Sequence, residues 1–176
     1  VTTPPRPAAT VMLLRDAADG LEVFMVRRHG LSDVLGGAYV FPGGKVDRED
    51  GLPELLARVD QPVQALHAAL GEPGLPADTA ASMYVAALRE TFEEAGLLLA
   101  TDERPLDIAR AQALSRDGVP FTEMLQQLDI RLAVGRLVPW TRWITPVVPS
   151  IQAKRFDTRF FAVHVGDDAV ARHDER

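Results

Sequence analysis

Residues 89–97, Arg-Glu-Thr-Phe-Glu-Glu-Ala-Gly-Leu, constrain this 176-residue chain more than any other stretch. At 3.6 residues per turn, Glu90, Glu93 and Glu94 fall in one narrow arc together with Ala86. Ala81, Tyr84, Val85, Leu88 and Phe92 fall on the opposite side and read as the buried stripe. Glu90 and Glu94 are like charges four residues apart, which weakens an isolated helix by roughly a few tenths of a kcal/mol. No Lys lies within a turn, and Arg89 is expected to relieve one carboxylate at a time. Such a stripe is usually a solvated helix face. A divalent cation gives it a second reading, because hard ions such as Mg²⁺ take oxygen ligands and bridge carboxylates to substrate phosphates.

Upstream, residues 39–47 read Tyr-Val-Phe-Pro-Gly-Gly-Lys-Val-Asp. Paired glycines after a short apolar run let the backbone turn sharply and approach a metal or ligand closely. A carbonyl exposed at such a turn is a natural extra oxygen ligand. Alone, a Gly-Gly turn is ordinary loop chemistry. Paired with the carboxylate helix, it points to a metal-assisted phosphate site.

The chain resembles the Nudix hydrolases on these residues. The family box runs Gly, five residues, Glu, seven residues, then Arg-Glu-aliphatic-x-Glu-Glu-x-Gly-aliphatic. Arg89, Glu90, Glu93, Glu94, Gly96 and Leu97 match its second half, with Thr91 where an aliphatic residue is usual, and Phe41-Pro42-Gly43-Gly44 match its start. From Gly44 to Arg89 is 45 positions where an unbroken box has 14, so 31 residues are additional. Asp50 stands where the first Glu of the box would be. A long insert at this place, the reading Arg-Glu-Thr-Phe-Glu-Glu-Ala-Gly, and the later stretches 143–146 and 155–161 resemble the coenzyme A diphosphatase-like branch. Of that branch's coenzyme A motif, Arg28 and Gly37 fit, whereas His29 replaces a small residue and Asp33 an Arg.

The resemblance implies an α/β fold, a Nudix-type α/β/α sandwich with a mixed sheet and helical insertions. One domain is expected over 1–176, with helical inserts at 51–77 and 101–136. It further implies Mg²⁺- or Mn²⁺-dependent hydrolysis of a nucleoside diphosphate linked to another group, with coenzyme A or an acyl derivative as the first reading. ADP-ribose, a dinucleotide or a nucleotide sugar is the second. A non-catalytic nucleotide sensor is the third, since fold does not fix function. Glu90, Glu93, Glu94 and the Gly43 carbonyl are the expected metal ligands. Arg89 orients the carboxylates, and Glu90 or a group outside the box, such as Glu175, serves as general base. Lys45, Arg28, Arg155 and Arg159 are the candidates for substrate phosphates. Trp140 and Trp143 read as packing residues first and adenine stackers second. The four histidines have no metal-ligand spacing.

A net charge of −6 disfavours a nucleic acid polymer and is compatible with a small phosphorylated substrate carried with metal. With no cysteine, disulfides and thiol chemistry are excluded. No apolar run approaches ~20 residues, so no membrane span is expected. The start lacks a signal-peptide layout, and cytoplasmic location is the default expectation. A hairpin is expected over 9–14 and 21–27, a short strand over 38–41, and one or two helices over 52–70. Asp78 or Thr79 would cap the carboxylate helix and Gly96 would end it. Residues 97–99 are expected to lead into a strand, further strands are expected at 137–144 and 159–165, and helices over 105–132 broken at Gly118-Val119-Pro120. Residues 169–176 are too short and polar for the closing helix of such a fold. A longer natural chain or a homodimer partner is expected to supply that layer.

Overall fold

The computed structural model describes residues 4–27, 37–101, 105–147 and 155–166. Arg28, His29, Asp33, His173 and Glu175 lie outside them, as do residues 169–176.

A long first strand, β1 (Arg6–Ala17), organises the sheet. Its C-terminal half pairs antiparallel with β2 (Gly20–Phe24) across a two-residue turn. After β3 (Val26–Arg27) and β4 (Tyr39–Val40), which pair with each other, β5 (Gly43–Lys45) joins the N-terminal half of β1. On its other edge β1 pairs in parallel with β7 (Phe156–His164), which pairs antiparallel with β6 (Val138–Ile144). The sheet is therefore mixed. Alternation along β1 and β7 sends Ala9, Val11, Leu13, Arg159, Phe161 and Val163 to one face, where all are buried. Thr10, Met12, Leu14, Phe160 and Ala162 share the other face and stay half-buried.

The buried face carries α3 (Ala77–Ala95). Its expected stripe, Ala81, Tyr84, Val85, Leu88 and Phe92, is buried, but so are Ala80, Ala86 and Ala87. Alanines there let the helix lie close to β1 and β5 on one side and α2 (Val63–Leu70) on the other. Thr91 is fully buried without an orphaned hydroxyl, because it donates back to the Ala87 carbonyl at 2.8 Å. Gly96 ends the helix in the left-handed conformation, as expected. The start differs: the helix begins at Ala77, with Pro76 as its cap and no side-chain cap bond. Proline presets the backbone there, which leaves Asp78 inside the first turn facing the helix dipole.

Residues 48–76 fold as a 3₁₀ turn (Arg48–Gly51), a single-turn α1 (Pro53–Leu56) and α2. Leu55, Val59 and Leu66 are buried, and the Tyr84 hydroxyl donates to the Leu66 carbonyl at 3.2 Å. Beyond α3, residues 97–99 form no strand. Leu98 and Leu99 go into the core, and only Ala100 bridges to Leu132. The helices α4 (Ile108–Arg116) and α5 (Phe121–Gln127) follow, separated at Gly118-Val119-Pro120. The two regions read as separate excursions are stitched together. Leu132 donates to the Arg58 carbonyl (2.8 Å) and Asp60 to the Leu132 carbonyl (3.1 Å), while the Asp60 carboxylate accepts from the Gly135 amide (2.9 Å). No described helix is long and apolar enough to cross a membrane.

Candidate functional site

The second half of α3 brings its carboxylates against the glycine strand β5, and Arg89 is the hub. Its Nε and Nη2 donate to the two oxygens of Asp50 at 2.8 and 3.0 Å, and Nη2 also donates to the Lys45 carbonyl at 3.0 Å. Nη1 reaches Glu90 at 2.9 Å and Glu93 at 3.1 Å. The expectation of one carboxylate at a time is corrected, because a planar guanidinium with five donors serves all three acids at once. Burial opposes its charge, but the Asp50, Glu90 and Glu93 carboxylates outweigh that and keep Arg89 protonated.

Asp50 is the residue that sequence spacing left open. It is 1% exposed and closes a capping box with Asp47, accepting from the Asp47 amide at 2.8 Å. It thus fastens the turn after β5 to the helix. The six-residue step from Gly44 was the signal, and only the shorter side chain obscured it.

Glycine is required on β5 by contact rather than by a special φ. Val11 donates to the Pro42 carbonyl and Val46 to the Pro7 carbonyl, so Gly44 is in the hydrogen-bonded register with Ala9. Gly43 therefore turns both its N–H and its C=O away from β1, and its N–H donates to Glu94 Oε2 at 2.9 Å. A Cβ on Gly44 would stand 2.5 Å from the Glu90 carboxyl, the movable end of a flexible side chain. One on Gly43 would stand 2.5 Å from the Ala9 carbonyl oxygen and 2.7 Å from Thr10 Cα, both backbone. Gly44→Ala is expected to fold with a nearly unchanged melting temperature and lose divalent-metal affinity as Glu90 is displaced. Gly43→Ala is expected to lose about 2 kcal/mol or more of stability, since strand backbone must shift. Parallel thermal melts and metal titrations would separate the two, and equal melting temperatures would count against the contact argument.

Among the described residues no three acidic or imidazole side chains form a ready-made metal cage. Arg89 occupies the space between Glu90 and Glu93, while Glu94 is turned to the Gly43 amide. The donor set still fits a hard cation. Three carboxylates lie beside an outward-turned glycine carbonyl, and burial raises Glu93 above the ordinary carboxylate range. Burial, reinforced by the charges of Glu93 and Glu94 against the pull of Arg89, pushes Glu90 up to about 7.

A carboxyl raised on folding stabilises fully below its unfolded value, and that contribution disappears as pH rises through the folded value. In EDTA, the Glu90 contribution of on the order of 3 kcal/mol is therefore expected to fade between about pH 4.5 and 7. Glu90→Gln should remove it. The melting-temperature difference, variant minus wild type, is expected to grow with pH across that window and to shrink when Mg²⁺ is added. A difference independent of pH would contradict the raised value.

The other candidates lie in different settings. Lys45 is exposed and pairs with Asp47 at 2.5 Å. Arg159 is 3% exposed, with Nε and Nη2 on Glu72 at 2.8 and 2.6 Å and Nη1 on Asp157 at 2.9 Å. Arg142 completes that box, bridging Glu72 and Asp157. The guanidinium of Arg159 is thus committed to clamping the segment before α3 onto the sheet. Arg155 donates to the Thr145 carbonyl at 2.9 Å. Trp140 and Trp143 do not pack in the core, being 70% and 58% exposed. His67 meets the Glu72 carbonyl and His164 meets Asp16, away from the carboxylate helix.

A family model described as the NUDT19 Nudix domain matches residues 57–176, which is 120 of the 176 residues. A crystal structure of a NUDIX hydrolase from Alicyclobacillus acidocaldarius is similar with a TM-score of 0.75 and 32% identity, covering 99% of this chain and 76% of that one. The acyl-coenzyme A diphosphatase NUDT19 of Xenopus laevis is 25% identical over 175 positions, covering 80% of this chain and 46% of that protein. The putative nudix hydrolase 7 of Caenorhabditis elegans is 27% identical over 170 positions, covering 96% and 47%. The chain spans about half the length of the curated relatives it matches.

Proposed function

The chain belongs to the NUDT19 Nudix domain family, and from that membership we propose that it is a metal-dependent pyrophosphohydrolase acting on a nucleoside diphosphate linked to a second group. Coenzyme A or an acyl-coenzyme A is the substrate we favour, on the strength of the relatives named acyl-coenzyme A diphosphatase. The observation that carries the reading is the Arg89 hub, which gathers Asp50, Glu90 and Glu93 beside the glycine strand. A solvated helix face would not bury an arginine to organise its acids.

Glu90, Glu93, Glu94 and the Gly43 carbonyl would hold Mg²⁺ or Mn²⁺, which when bound neutralises the diphosphate and acidifies an attacking water. Asp50 fixes the Arg89 guanidinium, and Arg89 sets the rotamers of Glu90 and Glu93. Glu90, raised by burial, is also suited to accept a proton at neutral pH in metal-free form. Coenzyme A would be cut to adenosine 3′,5′-bisphosphate and a phosphopantetheine. Lys45, at the end of the glycine strand, remains a candidate for a substrate phosphate by position.

The test is a product screen with excess Mg²⁺ or Mn²⁺ over coenzyme A, an acyl-coenzyme A, ADP-ribose, NADH, a diadenosine polyphosphate and a nucleotide sugar. Selective cleavage of the coenzyme A compounds supports the substrate. Preference for another member keeps the hydrolase and removes coenzyme A. No turnover with intact nucleotide binding would favour a sensor.

A further inference from the structure

Both ends of the carboxylate helix are tied to one row of the sheet. Register aligns Arg142, Arg159, Ala9 and Gly44 across β6, β7, β1 and β5. Residues opposite one another in such a row point to the same face, here the one that carries α3. Glu90 lies over the Gly44 end, where a Cβ added to the glycine would stand 2.5 Å from its carboxyl. Glu72, in the segment that leads into α3, sits over the other end. Its Oε2 accepts from Arg142 Nη1 at 2.9 Å and Arg159 Nη2 at 2.6 Å, and its Oε1 accepts from Arg159 Nε at 2.8 Å. Asp157 takes the remaining arms of both guanidiniums, so two cations and two anions close a neutral box. The Arg159 hydrogen bonds hold Glu72 below the ordinary carboxylate range, which keeps this tie ionised at neutral pH.

We propose that Glu72 is a positioning residue for the carboxylate site: it fixes where α3 sits along its own axis, and so where Glu90 and Glu94 meet β5. The proposal rests on the metal-dependent reading above. Its physical basis is the surface between the two ties. Ala80, Ala81, Ala86 and Ala87 are all fully buried, and methyl side chains raise low ridges that resist sliding weakly. Small sliding of packed helices is an ordinary mode of motion. A bidentate arginine–carboxylate pair supplies direction as well as attraction, which apolar packing of equal strength does not. The helix between Ala77 and Glu90 spans about 20 Å and carries a shift at the first tie to the second as a rigid rod. Moving the carboxylates by about 1 Å relative to Gly43 is enough to lower metal affinity.

Glu72→Gln keeps the side-chain volume, removes the charge and turns an amide donor toward the arginine donors. Mn²⁺ titration followed by electron paramagnetic resonance is expected to show affinity about tenfold weaker in this variant. Hydrogen exchange at the Gly43 amide, which donates to Glu94 at the far end of the helix, is expected to quicken relative to the amides of β1. Leu66→Ala is the control. It truncates a buried side chain of α2, which packs on α3, and leaves the tie intact, so it should lower the melting temperature and change neither readout. Arg142→Ala removes the exposed arm of the box, should give a smaller shift of the same sign, and takes the place of Glu72→Gln if that variant does not fold. Absence of Mn²⁺ binding by the wild type would remove the metal reading alone, because the Gly43 amide still reports the coupling. Where the wild type binds Mn²⁺, an unchanged affinity in the variants overturns the proposal, and an unchanged Gly43 exchange rate does so in either case. Equal effects in Leu66→Ala would also overturn it, since the box would then act through stability and not through position.

Discussion

Glu94→Gln is expected to lower metal-dependent hydrolysis roughly a thousandfold, about 4 kcal/mol of transition-state stabilisation, while the melting temperature in EDTA moves little. Both halves follow from geometry. The Gly43 amide donates to Glu94 Oε2 at 2.9 Å, and a glutamine carbonyl oxygen at the same place still accepts that bond. What disappears is the charge. An amide is a far poorer ligand for Mg²⁺ than a carboxylate, so the fold keeps its tie between α3 and β5 while the cation loses an anionic ligand. Turnover with saturating Mg²⁺ and a thermal melt check the two parts separately. Undiminished turnover would remove Glu94 from the metal site. A large drop in melting temperature would mean that the charge holds the strand.

What could be read along the chain was whatever depends on local order. The 3.6-residue period found the buried stripe of α3, the glycine ended the helix, and alternation located the strands within a few residues. The acids at 90, 93 and 94 were recognisable because helical spacing alone puts them on one arc. Partnerships between distant residues were not legible. Nothing local announces that Glu72 will neutralise Arg159, 87 positions away, or that Arg58 to Asp60 will pair with Leu132 and Gly135. Those contacts turn two apparent excursions into one body packed on the core. The strand that residues 97–99 were expected to lead into is reduced to the Ala100–Leu132 bridge for a related reason: a short apolar run satisfies a buried core as well as a sheet, and tertiary packing decided. The tryptophans mark the opposite limit. Size and apolarity argued for burial, but on β6, an edge strand of the sheet, no described strand or helix covers them.

Asp50→Ala is expected to be the most destabilising substitution at the site, costing about 3–5 kcal/mol and lowering the melting temperature by about 10 °C. Asp50 is 1% exposed and takes two hydrogen bonds from a guanidinium that is itself buried. Removing it leaves a desolvated positive charge with Nε unpaired, and the capping box that fastens residues 47–50 opens as well. Glu90 and Glu93 compensate only in part, since both are held by Nη1 at the other end of the fork. Freed from its anchor, Arg89 would swing toward the acids it now positions, so metal affinity should fall by about 10- to 100-fold in whatever fraction stays folded. A double-mutant cycle with Arg89→Ala checks the origin of the loss. The double variant should be less destabilised than the two single losses added together, because each strands the same partner. Strict additivity would show that Asp50 stabilises through the 47–50 turn alone, and the arginine hub would then have no part in holding the fold.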